Sequence, residues 1–142
     1  MGNVLALFDL VGVLARRRYQ TAERHFSTLG FNHSEARLLT LLHQERGTAT
    51  QEALSNMLNV DRSNAGRALK NLEQRGYIER VKHDTDRRTN VVRMTAKGSA
   101  AVADIARLKT QMVEGFFGTL TEDEAGEIVR LLRKADADEA AV

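Results

Sequence analysis

The chain of 142 residues has no cysteine and no proline, and only 5% of it is aromatic. Without cysteine there are no disulfides, no thiolate metal sites and no cysteine redox chemistry. Without proline, no helix carries an imposed break. Long apolar runs are missing as well: the run over residues 4–15 is too short to span a bilayer. It lacks a basic flank and a small-residue cleavage site, so no secretory signal is expected. Ala6 stands where a myristoylation motif needs Ser or Thr. A cytoplasmic protein is the expectation. Catalytic signatures are also lacking: there is no phosphate-cradling glycine loop, no nucleophile beside a base and no cluster of metal ligands. The four histidines, His25, His33, His43 and His83, are dispersed. Neither enzymatic activity nor a cofactor or metal is expected.

The composition that remains, 42% hydrophobic and 28% charged, is that of a globular domain with one real core. Its charge is unevenly distributed. Residues 1–60 carry a net +1, residues 61–98 a net +5 and residues 99–142 a net −4. A localised positive field of this kind suits phosphate recognition; an ordinary solvated surface is the plainer alternative.

Periodicity divides the chain into elements. Val4, Phe8, Val11, Ala15, Tyr19, Ala22, Phe26 and Leu29 recur at steps of three and four, one face of a long amphipathic helix ended by Gly30. At about 1.5 Å per residue it reaches roughly 40 Å, beyond a compact domain of this size, so it is expected to pack on something else, most simply a second copy of the chain. Asn32 or Ser34 can cap the next helix, whose core face includes Ala36, Leu38, Leu39, Leu41 and Leu42. His43, beside Leu42, is expected to be a partly buried structural histidine. A shorter helix from Thr50 turns its Ala53, Leu54, Met57 and Leu58 inward, and Asn59-Val60 allows only a sharp corner. Asp61 caps the following helix, which Gly76 ends. Steps of 100° place Ala65, Ala68, Leu69 and Leu72 on one side of it and Ser63, Gly66, Arg67, Lys70 and Gln74 on the other. Gly66 costs about 1 kcal/mol relative to alanine inside a helix; it either lets the helix seat deeper in a groove or is drift at an exposed site.

Alternation over residues 77–82 and 91–94 predicts two strands, joined by a polar turn that carries Arg87 and Arg88. Thr95 caps a helix from Ala96 to about Phe117, and Thr121 with Glu124 forms a capping box for a last helix. The tail from 135 to 142 is expected to fray. The predicted fold is mainly α with a small β-hairpin wing. It is a winged helix-turn-helix over residues 31–98, flanked by helical regions over residues 1–30 and 99–142.

The segments TQEAL, VDRSNAGRALKNLEQRGYIER and DRRTNVVRMTAKG make the chain resemble the MarR family of winged-helix transcriptional regulators over essentially its full length. The Asp-x-Arg element of that family's wing falls on Asp86 and Arg88. The resemblance implies a homodimer whose N- and C-terminal dimerisation helices, residues 1–30 and 99–142, intertwine; it grips a pseudo-palindromic DNA operator, usually represses, and in many members is released by a small aromatic or phenolic anion.

The residues fit such a reader. Arginine pairs bidentately with guanine and asparagine with adenine in the major groove. Arg62, Asn64 and Arg67 are therefore the expected base readers, with Ser63 and Lys70 on phosphates, although Lys70 also reads as a solvated residue. Arg88 is expected in the minor groove, held extended by Asp86, with Arg87 on the phosphate backbone. For the effector the candidates are Arg17, Arg18 and Tyr19, since one or two of the three adjacent arginines from Arg16 could face a crevice; solvated or intersubunit charges are the plainer reading. Two other functions stay open: a helical interaction protein that dimerises without reading DNA, and an activator of the same fold.

Overall fold

The structure is a computed structural model that describes residues 1–58, 62–82 and 90–140, the side chains of residue 62 and residues 138–140 excepted. The elements are α1 (Gly2–Phe26) with a short 3-10 turn (Ser27–Leu29), α2 (His33–Gln44), β1 (Thr48–Thr50), α3 (Gln51–Leu58), α4 (Arg62–Gln74), β2 (Ile78–Lys82), β3 (Asn90–Met94), α5 (Ala96–Phe117) and α6 (Glu122–Ala140). They fall into two units, residues 1–112 and 113–142. No described helix is long and apolar enough to cross a membrane.

In the first unit the expected inward residues meet. Leu38, Leu39 and Leu42 from α2, Leu54 and Leu58 from α3, and Leu69 and Leu72 from α4 are all buried around one core. Ala22 and Phe26 add the last turns of α1, Ile78 and Val92 the sheet, and Ala101, Val102 and Ile105 the first half of α5. The helix ends follow from local chemistry. Asn32 caps α2, its side chain accepting from the Glu35 amide, while the Glu35 carboxylate accepts from the Asn32 amide. Thr95 Oγ1 accepts from the Gly98 amide at the start of α5. A Cβ on Gly98 would lie 2.3 Å from the Tyr77 carbonyl oxygen, so only glycine lets α5 approach the entry to β2 this closely. Gly76 ends α4 at φ +83°, in the left-handed region.

Among the described residues the sheet has three strands in the order β1-β3-β2, all antiparallel. The hairpin register pairs Ile78 with Met94 and Lys82 with Asn90. The third strand, β1, pairs Thr48 with Arg93 and Thr50 with Val91. Sequence patterning missed it because three residues are too few to show alternation.

Two expectations are corrected. His43 is exposed, because the buried face of α2 runs through residues 35, 36, 38, 39 and 42, and the next 100° step turns residue 43 outward. The tail does not fray from residue 135: α6 continues to Ala140. No glycine or proline interrupts it after Gly126, and alanine leads the helix formers there. In the second unit, Thr121 and Glu124 form the expected capping box, with bonds of 2.9 and 3.1 Å. Ile128, Val129, Leu131 and Leu132 on α6 remain 42–48% exposed.

Candidate nucleic-acid interface

The helical projection holds on α4. Ala65, Ala68, Leu69 and Leu72 are buried, while Ser63, Asn64, Arg67, Lys70 and Gln74 are exposed. A methyl group added at Gly66 would meet nothing within 4 Å, so packing within the lobe does not require glycine there. An Arg67 guanidinium nitrogen donates to the Asn64 side-chain oxygen. Two of the expected base readers, one helical turn apart, are thus presented as a unit. Arg62 is the first residue of α4, but its side chain lies outside the described set, as do residues 59–61 with the expected corner and cap. Asp86, Arg87 and Arg88, the expected wing contacts, also lie outside the described residues.

Polar contacts hold the elements around this face. The Arg37 guanidinium on α2 donates to the carbonyl oxygens of Leu58 (3.1 Å) and Met57 (3.4 Å), closing the carboxyl end of α3 with a positive charge. Thr50 Oγ1 accepts from the Ala53 amide at the other end of α3 (3.1 Å). At the base of the wing, Arg80 on β2 donates to Glu73 on α4 at 3.0 Å. That hydrogen bond, with the charge of Arg80, holds the Glu73 carboxyl below the ordinary carboxylate value. Arg80 and Asn90 also donate to the Gln51 side-chain oxygen, at 3.5 and 3.4 Å, tying both hairpin strands to the start of α3. Sequence reasoning missed Arg37, Gln51, Glu73 and Arg80. Their partners are distant in sequence or on other elements, and no periodicity reports such pairs.

The effector candidates separate. Tyr19 packs edge-on against His33 with ring centroids 5.5 Å apart, and Arg18 is close enough to act on that imidazole. Arg17 lies on the exposed surface of α1. The His33 amide donates to the Glu23 carboxylate at 2.7 Å, and its Nδ1 is buried without a hydrogen-bond partner among the described residues. Burial, then the charges of Arg18 and Arg37, lower the His33 pKa below its ordinary 6.5; Glu23 opposes them and Lys109 on α5 adds to them. No group of three or more possible metal ligands occurs among the described residues.

Comparison with known proteins bears on the whole chain. Residues 31–89 match the model of the MarR family. HTH-type transcriptional regulator YybA of Bacillus subtilis is 26% identical over 124 residues, spanning 87% of this chain and 82% of that protein. Transcriptional repressor MprA of Escherichia coli is 31% identical over 97 residues; these span 68% of this chain but only 55% of MprA. Among solved structures, a mutant of Escherichia coli MarR complexed with operator DNA superposes with a TM-score of 0.82 at 22% identity, covering 94% of this chain and 95% of that one. At that identity the superposition speaks to fold. It agrees with a mostly helical protein that carries a small three-stranded sheet. Through the matched segment, and by its likeness to these regulators, the chain belongs to the MarR family of winged-helix proteins.

Proposed function

We propose that the protein is a DNA-binding transcriptional regulator that grips a pseudo-palindromic operator as a homodimer, represses from it, and is released by a small organic anion. The observation that carries the DNA-binding reading is α4 itself, which buries a small apolar face in a packed lobe and turns Ser63, Asn64, Arg67 and Lys70 outward. Asparagine and arginine on an exposed helix match the donor and acceptor pattern of the major groove. In this reading Arg62, Asn64 and Arg67 read base edges, Ser63 and Lys70 touch phosphates, and Arg88, steadied by Asp86 and flanked by Arg87, enters the minor groove.

The finer parts have their own support. Val4, Leu5, Leu7, Phe8, Leu10 and Val11 on α1 are 47–79% exposed, which favours a second copy as their cover. The name of MprA supports repression. The positive charges of Arg18, Arg37 and Lys109 outnumber the one carboxylate, Glu23, around His33 and favour an anion, and Tyr19 adds an aromatic wall.

A gel shift with the gene's own upstream region tests the reading. A specific complex is expected, weakening about a thousandfold or more between 50 and 200 mM salt, as release of counterions from six or more phosphates requires. No complex with genomic fragments at low salt would favour an interaction protein instead. Within this assay Arg67→Ala should cost about 1–3 kcal/mol and relax preference at one base pair; a uniform loss across operator variants would make Arg67 a phosphate contact.

A further inference from the structure

Glu35 is a buried carboxylate, 3% exposed, at the start of α2. One of its oxygens accepts from the Asn32 amide at 2.8 Å, which fixes its rotamer. The other faces α4, where it accepts from the Asn71 side-chain amide and lies 3.7 Å from the Arg75 guanidinium. Arg75 directly follows α4, its amide still donating to the Asn71 carbonyl oxygen at 3.1 Å, so it lies one turn beyond Asn71 on the same edge. Arg75 is itself held over the rings of Phe31 (5.0 Å) and Tyr77 (5.2 Å).

This edge also bears Asn64, which precedes Asn71 by seven residues, two helical turns. The apolar face of α4 is small, two alanines and two leucines. Packing of that kind sets how deep a helix sits, but it resists rotation about the helix axis weakly. Hydrogen bonds to a buried carboxylate are directional and charge-assisted, so they do resist it. A rotation of roughly 10° would carry a side-chain tip about 9 Å from the axis sideways by about 1.5 Å, enough to spoil a bidentate contact with a base.

We infer that Glu35, with Asn71 and Arg75, sets the rotation of α4 and thereby determines how sharply the protein discriminates between DNA sequences. The three are positioning residues: they act through Asn64 and Arg67 and touch no base. The inference rests on the reading of the protein as a DNA binder. A phosphate contact tolerates such a shift better than a bidentate base contact, since lysine meets phosphate as a point charge, so loss of the clamp leaves affinity for non-specific DNA in place.

The test begins with a duplex that the wild-type protein selects from a random pool and a scrambled duplex of equal length. Affinities for both are measured for wild type, Asn71→Ala, Glu35→Gln and the double variant at two salt concentrations. Asn71 is on an exposed edge and Glu35→Gln keeps a capping side chain, so circular dichroism should show all four folded. Asn71→Ala is expected to reduce the preference for the selected duplex about tenfold, with affinity for the scrambled duplex and the salt slope unchanged. Glu35→Gln should give a smaller loss. The double variant should lose less than the product of the single losses, as partners in one contact do. Multiplying losses would mean that Asn71 touches DNA itself and would overturn the inference. So would equal losses on both duplexes, or no loss. If the wild type selects no sequence at all, the DNA-binding reading fails first and the clamp's role falls with it.

Discussion

Leucine serves opposite ends in two regions of this molecule. Leu39 and Leu54 in the helix-turn-helix lobe are fully buried, whereas Leu5, Leu7 and Leu10 on α1 are 50–59% exposed and Phe8 beside them is 79% exposed. The change occurs along a single helix, since Ala22 and Phe26 at the far end of α1 belong to the lobe's core. The lobe completes its own core, and the N-terminal half of α1 does not. The same apolar period therefore provides folding energy in one place and an unsatisfied surface in the other. Exposed apolar area on this scale is costly unless something covers it, and a second copy of the chain is the proposed cover.

The difference can be broken from either side. Leu39→Ala should lower unfolding stability by about 2–5 kcal/mol in denaturant titrations, the range for emptying a close-packed site; a loss below 1 kcal/mol would mean that the lobe's core is not close-packed. Replacing Phe8 and Val11 together by Asp should leave the secondary structure of the lobe intact but convert a dimer to monomer in sedimentation equilibrium. Operator affinity should drop about a hundredfold, since the second lobe loses its high effective concentration. Unchanged sedimentation would remove α1 as the self-association surface.

The smallest effect lies at His33 on α2, beside Tyr19 of α1 and within the field of Lys109 on α5. Its folded pKa is depressed by burial and then by Arg18 and Arg37. The unfolded chain thus binds the proton more readily, and stability should be full above the ordinary value of 6.5 and decline as pH falls through it. Glu73, also depressed, acts only below its ordinary 4.5, so thermal midpoints between pH 5 and 7 keep its effect out of the comparison. His33→Gln should flatten that dependence; an unaltered slope would assign the effect to other groups.

Much of the fold was legible because helices announce themselves locally. The buried face of α4, the cap at Asn32 and the capping box at Thr121 all depend on residues three or four apart, which is also the spacing of contacts within a helix. The exposed half of the candidate site, Ser63, Asn64, Arg67 and Lys70, was read from the same geometry. Its supports were not. Glu35 meets Asn71, Arg37 meets Leu58 and Arg80 meets Gln51 only after separate elements pack, and a charged residue that will be buried looks like any solvated one. His43 shows the reverse error: an apolar neighbour suggested burial, and one 100° step put it outside.

By itself the sequence determined the order and type of the helices and the hairpin, the concentration of positive charge over residues 61–98, and the outward face of α4. These follow from local backbone geometry and from composition. Only the tertiary structure decided that β1 joins the sheet, that Gly98 must admit the Tyr77 backbone, and that a buried carboxylate on α2 grips α4. Each depends on groups far apart in the chain being brought within a few ångströms, a condition that packing creates and that no periodicity records.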